Sequence, residues 1–166
     1  MRHEIERFAR KKGLTMQLPT DDALRILIVD DEVQVAEYLS VFLSSVDEFV
    51  TTMIANDGYA AGKLVQVFRP HVVLLDLIMT GLNGFDVCVQ IKNDPATKAT
   101  RVITMTGFCD DVSVDRAMNA GAECCIEKPF DHDWLLTLLG LGETRRLAPN
   151  PVGTPIYHSK QTNKAP

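Results

Sequence analysis

The chain has 166 residues, of which 46% are hydrophobic and 23% charged, and its formal net charge is −5. This length suits one well-buried domain rather than two, and the composition is typical of a globular protein. No apolar run approaches the roughly 20 residues of a membrane-spanning helix, and no apolar signal region follows the charged N-terminus. We therefore expect a cytoplasmic protein with no membrane partner.

The charge is distributed unevenly along the chain. Residues 1–12 hold five basic and two acidic residues, and residues 145–166 hold four basic and no acidic residues, so the segment between them carries −12. Proteins that bind nucleic acid usually present a basic surface to the phosphates. An acidic core therefore argues against direct nucleic-acid binding by the central segment, and short basic ends are commonly solvated tails.

The four cysteines follow neither a CxxC spacing nor a metal-ligand pattern with histidine: Cys88, Cys109, Cys124 and Cys125. In a reducing compartment they are most simply small apolar residues. Neighbouring residues of a strand point to opposite faces, so we expect no disulfide between Cys124 and Cys125.

The N-terminal segment, residues 1–23, predicts a short helix followed by a linker. Ile5, Phe8 and Ala9 are spaced as on an amphipathic helix, and Gly13 and Pro19 are typical of a helix stop and a linker. At the other end, residues 144–166 are rich in Pro, Asn, Thr and Lys without periodicity, which predicts a disordered tail.

Between these ends, residues 24–143 show five repeats of a strand-like segment followed by a helical one. The strand-like segments are 24–29, 49–55, 71–76, 101–106 and 123–128. The helical segments are 33–43, 59–68, 84–92, 111–119 and 131–139. Alternation of this kind predicts an α/β domain with a parallel sheet between two helix layers.

Polar side chains stand at the ends of four predicted strands. They are Asp30 and Asp31 after the first strand, Asp76 at the end of the apolar third strand, Thr106 and Lys128. The carboxyl ends of parallel strands lie at one edge of the sheet, so these groups should converge. Three close carboxylates repel one another, and Mg²⁺ with its preference for oxygen ligands would remove that repulsion.

These motifs resemble the receiver domain of response regulators, the CheY-like family. The resemblance rests on Asp30-Asp31-Glu32, Asp76-Leu77-Ile78-Met79, Thr106-Gly107 and Lys128-Pro129-Phe130, in that order. It implies a five-stranded, flavodoxin-like doubly wound sheet with strand order 2-1-3-4-5.

The resemblance also implies a role for each site residue. Asp76 would accept a phosphoryl group, and Lys128 and Thr106 would contact phosphoryl oxygens. Asp31 would bind Mg²⁺ directly, Asp30 through water, Asp76 as the phosphoacceptor carboxylate, and Ile78 through its backbone carbonyl. A cis peptide is expected between Lys128 and Pro129.

The same resemblance implies a signalling role rather than enzymatic turnover. A sensor histidine kinase or a histidine phosphotransfer protein would donate the phosphoryl group, and a downstream protein effector would read the phosphorylated state in a phosphorelay. Residues 4–14 resemble the closing helix of excisionase-type DNA-binding modules, so the N-terminal segment could be the remnant of an upstream module.

The chain departs from the family pattern at two positions. Thr80 stands where proline is usual, which should loosen the loop after Asp76. Cys125 replaces the aromatic residue that usually reports phosphorylation, which predicts a muted switch or one carried by another side chain. Apolar Ile78 and Phe108 should flank the phosphoryl group and exclude water, which predicts a long-lived acyl phosphate.

Three alternative functions stay open at this point. A haloacid-dehalogenase-type phosphohydrolase also places a nucleophilic Asp after an apolar strand, but Ile78 replaces its general acid. A flavodoxin-type cofactor protein would need a phosphate-binding loop where Asp30, Asp31 and Glu32 would repel phosphate. A receiver-like docking module that is never phosphorylated is the third.

Overall fold

The computed structural model describes residues 23–81 and 83–142, together with the backbone of residues 157 and 158. The predicted N-terminal helix and linker lie outside the described residues, as does most of the predicted disordered tail. Within the described ranges, no helix has both the length and the apolar character needed to cross a membrane.

Six strands form one sheet in the order β2-β1-β3-β4-β5-β6. Their bounds are β1 Leu24–Val29, β2 Val50–Ala55, β3 Val72–Asp76, β4 Arg101–Thr106, β5 Cys124–Glu127 and β6 Tyr157–His158. The first five strands are parallel, so the predicted order 2-1-3-4-5 is confirmed. The short β6 runs antiparallel to β5, with Tyr157 opposite Cys125, and was not predicted.

Five helices connect the strands, close to the predicted positions. They are α1 Val33–Val46, α2 Gly58–Phe68, α3 Gly84–Asn93, α4 Asp111–Asn119 and α5 His132–Leu139. The side chains of Asp110 and Asp131 accept hydrogen bonds from backbone N–H groups in the first turns of α4 and α5. These N-caps satisfy backbone donors that have no partner within the helix.

The helices cover both faces of the sheet, so the core has two layers. One layer packs α2, α3 and α4 against the sheet, and the other packs α1 and α5 against the opposite face. Cys125 lies in the first layer and Cys124 in the second, which confirms that their side chains point to opposite faces. All five residues of β3 are buried, as its continuous apolar run indicated.

Candidate functional site

Lys128 joins the ends of three strands at the carboxyl edge of the sheet. Its Nζ donates hydrogen bonds to Oδ2 of Asp30 and Oδ2 of Asp76, each over 2.7 Å. Asp30 is fully buried and Asp76 is 5% exposed, so water can screen these charges only weakly. The convergence predicted for Asp30, Asp76 and Lys128 is therefore present in the structure.

Two opposing effects act on the Lys128 ammonium group. Burial favours the neutral amine, but the hydrogen bonds and negative charges of Asp30 and Asp76 outweigh burial and raise the pKa of Lys128. The lysine therefore stays charged at neutral pH and compensates part of the negative charge at this edge.

A third carboxylate, that of Glu32, lies beside the two buried aspartates. Oxygen atoms of Asp30, Glu32 and Asp76 all lie within 4.8 Å of one another, close enough to share one metal ion. The Glu32 backbone N–H also donates to Oδ1 of Asp30 over 2.9 Å, which fixes the turn between β1 and α1. Glu32 stands directly after Asp30 and Asp31 but is not among the metal ligands that the sequence predicted.

The Asp31 carboxylate is hydrogen-bonded to the loop after β3. Its Oδ2 accepts hydrogen bonds from the backbone N–H and the hydroxyl of Thr80, each over 2.8 Å. These bonds, the backbone one foremost, lower the pKa of Asp31. In the described part of the chain, the three-carboxylate group contains Glu32 and not Asp31. Direct metal binding by Asp31 stays a prediction.

The hydrogen bond from the Thr80 N–H to Asp31 also affects the conformation of the loop after β3. Proline has no N–H, so the backbone bond from residue 80 to Asp31 exists only because Thr80 replaces proline. The loss of proline alone predicted a looser loop, whereas the structure adds two hydrogen bonds from Thr80 to Asp31 that were not predicted.

A second constraint on this loop is the close approach of Gly84 to the backbone of β3. A Cβ atom at Gly84 would lie 2.1 Å from the carbonyl oxygen of Asp76 and 2.7 Å from the Cα of Leu77. Only glycine fits there without moving the backbone that carries Asp76. Glycine at position 84 therefore allows the first residue of α3 to pack directly against the backbone of Asp76 and Leu77.

Thr106 is the last residue of β4, and Ile78 lies in the loop after β3. The Thr106 hydroxyl donates to the Phe108 carbonyl over 3.1 Å and accepts from the Phe108 N–H over 3.3 Å, so it is engaged within its own loop. The Ile78 N–H donates to Oδ1 of Asp76 over 2.9 Å. The side chains of Ile78 and Phe108 are 67% and 65% exposed. The peptide bond between Lys128 and Pro129 is cis, as expected.

Comparison with known proteins assigns this chain to a family. Residues 26–140 match the response regulator receiver domain, which is most of the chain. The chain belongs to the response regulator receiver family. The receiver is the signalling domain of two-component systems, and the match covers every strand and helix described above except β6 and the first residues of β1.

A curated relative supports this assignment over the same region. The DNA-binding response regulator MtrA of Mycolicibacterium paratuberculosis is 38% identical over 106 residues, which are 64% of this chain and 45% of the relative. The chain thus spans less than half the length of the curated relatives it matches. The relative's name refers to a longer protein, so the expectation that the receiver core itself does not bind nucleic acid stays a prediction.

Two solved structures have the same fold. The signal receiver domain of a DNA-binding response regulator (merR) from Colwellia psychrerythraea has a TM-score of 0.67 and 38% identity, and the match covers 70% of this chain and 95% of that one. The BeF3-activated receiver domain of DrrB has a TM-score of 0.60 and 27% identity, over 71% of this chain and 95% of that one.

Proposed function

We propose that Asp76 accepts a phosphoryl group from a phosphohistidine of a sensor kinase or a histidine phosphotransfer protein. The observation that carries the proposal is the pair of 2.7 Å hydrogen bonds from Lys128 to Asp30 and Asp76. A nucleophilic carboxylate, a fixed cation and further carboxylates at one edge are the parts that phosphoryl transfer to an acid requires.

The balance of charge at this edge supports a divalent cation. Asp30, Glu32 and Asp76 carry three negative charges when ionised, and Lys128 supplies one positive charge, so a deficit of two remains. Hard carboxylate oxygens are the ligands that Mg²⁺ prefers. Mg²⁺ would be held by Asp30, Asp76, Asp31 and the Ile78 carbonyl, and the structure adds Glu32 as a candidate.

Bound Mg²⁺ would neutralise the carboxylates and withdraw charge from the phosphoryl oxygens. The chain's own residues do the rest. An oxygen of Asp76 attacks the phosphorus, the P–N bond to histidine breaks, and the imidazole nitrogen leaves with the bonding electrons. The Ile78 N–H and Lys128 hold the Asp76 carboxylate in place before the attack, and Lys128 stabilises the negative charge on the transferred group.

Thr106 would have to change partners to take part. Its hydroxyl donates to the Phe108 carbonyl, so donation to a phosphoryl oxygen requires that hydrogen bond to break. An ordinary hydrogen bond contributes only about 1 kcal/mol net, and a charged phosphoryl oxygen is the stronger acceptor. Phosphorylation therefore supplies enough energy to draw Thr106 inward and rearrange the loop after β4, which would change the surface offered to a downstream protein.

The test is chemical phosphorylation of the full chain in Mg²⁺. Phosphoramidate, which carries a P–N bond like phosphohistidine, should add one phosphoryl group that hydroxylamine removes, as an acyl phosphate requires. Intact-mass spectrometry should show this adduct in the wild type and in the exposed control Asp133→Asn, but not in Asp76→Asn. Equal labelling of Asp76→Asn, or no labelling of the wild type, would refute the proposal and favour a docking module that is never phosphorylated.

A second experiment examines the site without covalent chemistry. Beryllium fluoride with Mg²⁺ mimics a phosphoryl group on a carboxylate, and the related DrrB receiver is described as BeF3-activated. We expect nuclear magnetic resonance shifts around Asp76 and in residues 106–110 of this chain. Shifts confined to other regions would count against both the site and the movement of Thr106.

A further inference from the structure

Cys109 and Cys125 form a pair of thiols beside the site. Their sulfur atoms lie 3.7 Å apart, although the two residues are 16 positions apart in sequence. Cys125 is fully buried in β5, whereas Cys109 is partly exposed in the loop after β4. The pair therefore combines a partly exposed cysteine, packed against the edge of the first core layer, with a fully buried one.

We propose that Cys109 and Cys125 are a site of reversible oxidation, at which a hydroperoxide produces an intramolecular disulfide. A disulfide requires sulfur atoms about 2.05 Å apart, so the pair must close by about 1.7 Å. Rotation of the Cys109 side chain and a small shift of its loop can supply this movement, because the contacts of Cys109 itself are long. The Cys109 N–H reaches Glu127 Oε1 over 3.4 Å, and the thiol pair itself spans 3.7 Å.

The reaction balances with hydrogen peroxide as the oxidant. Cys109 loses its proton and its sulfur attacks one peroxide oxygen, the O–O bond breaks, and hydroxide leaves and is protonated to water. The sulfur of Cys125 then loses its proton and attacks the resulting sulfenic sulfur, the S–O bond breaks, and the oxygen leaves as a second water. The two thiols together lose two electrons, and the peroxide gains them.

The surroundings of the pair make the reaction slow at neutral pH. Burial, foremost, together with Cys125, Glu127 and Asp110, raises the pKa of Cys109 to about 12. Burial likewise raises the pKa of Cys125. Because the thiolate is the nucleophile, its small population limits the rate of the first step. Below the pKa, the thiolate population increases about tenfold with each unit of increase in pH. The site therefore responds to sustained oxidation rather than to a brief pulse.

The other two cysteines are not placed to compete. Cys124 points into the opposite core layer, and the thiol of Cys88 donates to the Ala120 carbonyl over 3.5 Å inside the first layer. Burial raises the pKa of Cys88 to about 11 and that of Cys124 to about 12, and neither side chain is exposed. The structure thus selects one pair out of the four cysteines.

The test maps disulfides in the full-length chain. Reduced protein is treated with hydrogen peroxide, remaining thiols are alkylated under denaturing conditions, and the digested peptides are weighed. We expect one link between Cys109 and Cys125, lighter by two hydrogens and reversed by dithiothreitol, with Cys88 and Cys124 alkylated. It should form about tenfold faster at about pH 8.5 than at about pH 7.5.

Two variants make the result specific. Cys109→Ser should reduce the link to background, and the matched control Cys88→Ala should form it at the wild-type rate. Disulfide mapping on the wild-type protein tests the proposal even if one of the variants does not fold. A link that involves Cys88 or Cys124, a link between two chains, or Cys109 recovered as an alkylated or sulfinic residue after prolonged oxidation would overturn the proposal.

A consequence for signalling rests on the proposed function. The disulfide would tether the loop that begins just after Thr106 to β5, so this loop could no longer rearrange freely on phosphorylation. Oxidised wild type should then show smaller beryllium fluoride shifts in residues 106–110 than reduced protein, whereas Cys109→Ser should show the same shifts in both states. Failure of this part alone, with the link present, would refute the coupling and leave the oxidation site intact.

Discussion

Two loops border the acidic edge of the sheet, and they are held in place by contacts of different strength. In the loop after β3, Ile78 donates to Asp76 and Thr80 donates twice to Asp31, all over 2.8–2.9 Å and all to carboxylates. In the loop after β4, the Thr106 hydroxyl exchanges hydrogen bonds of 3.1 and 3.3 Å with the neutral backbone of Phe108, and Cys109 makes contacts of 3.4 and 3.7 Å.

The difference predicts that the loop after β3 is more rigid than the loop after β4. Hydrogen bonds to charged acceptors are roughly twice as strong as those between neutral groups. Gly84 adds a steric constraint to the first loop, whereas nothing lies within 4 Å of the position that a Cβ would take at Gly107 in the second. We therefore expect the loop after β3 to hold the Asp76 carboxylate in place, and the loop after β4 to change conformation when Asp76 is phosphorylated.

The largest expected effect comes from removing the cation on which the fixed arrangement depends. Lys128→Met leaves Asp30 and Asp76 buried without their partner, which should lower the free energy of unfolding by about 3 kcal/mol. Urea denaturation measures this, with exposed Lys98→Met as the control. Added Mg²⁺ should recover part of the loss if a dication binds among these carboxylates. A loss equal to that of the control would contradict the charge pairing described for this edge.

Alanine substitutions at Gly84, where the loop after β3 meets α3, and at Gly107, in the loop after β4, test the difference in packing. Gly84→Ala places a Cβ against the Asp76 carbonyl oxygen and should cost about 3 kcal/mol of unfolding free energy. Gly107→Ala meets open space and should change stability by less than about 0.5 kcal/mol. Thermal or urea unfolding of both variants gives the comparison. Similar costs at the two positions would show that the first loop is no more constrained than the second.

The lifetime of the phosphoryl group tests the apolar surface of the first loop. Ile78 cannot orient an attacking water molecule by hydrogen bonding, so Ile78→Asn should speed loss of phosphate from phosphorylated protein by about tenfold, or about 1.4 kcal/mol in the barrier. The exposed control Val112→Asn should leave the rate unchanged. The measurement is the decay of the acyl phosphate by intact mass. A wild type that already loses phosphate as fast as the variant would argue against a protective role for Ile78.

The smallest effect concerns the bonds between Thr80 and Asp31. Thr80→Ala removes the hydroxyl donor and should cost about 1 kcal/mol at neutral pH, whereas Thr80→Ser should keep most of the wild-type stability.

The cost of Thr80→Ala should also depend on pH in one direction. These hydrogen bonds lower the pKa of Asp31, so its contribution is complete above the unfolded value of 3.8 and is lost as pH falls through the lower folded value. Urea unfolding of both variants at neutral and acidic pH measures this. A cost that persists in acid would show that Thr80 acts through packing instead.

Much of the site could be predicted because it depends on topology alone. Asp30, Asp76 and Lys128 each follow an apolar strand, and parallel strands bring their carboxyl ends together whatever the details of packing. Glu32 was missed because its participation depends on how the turn between β1 and α1 directs its side chain toward Asp76. The Thr80 contact was missed because a departure from the family pattern was interpreted only as the loss of proline.

The amino-acid sequence by itself determined the parallel sheet, its two helix layers and the edge of the sheet at which charged residues collect. Local periodicity and strand-end residues carry that information without reference to distant contacts. Only the tertiary structure decided which carboxylates share the cluster, that Asp31 pairs with Thr80, and that Cys109 meets Cys125. Those pairings join residues far apart along the chain, and their geometry depends on side-chain directions that no local pattern encodes.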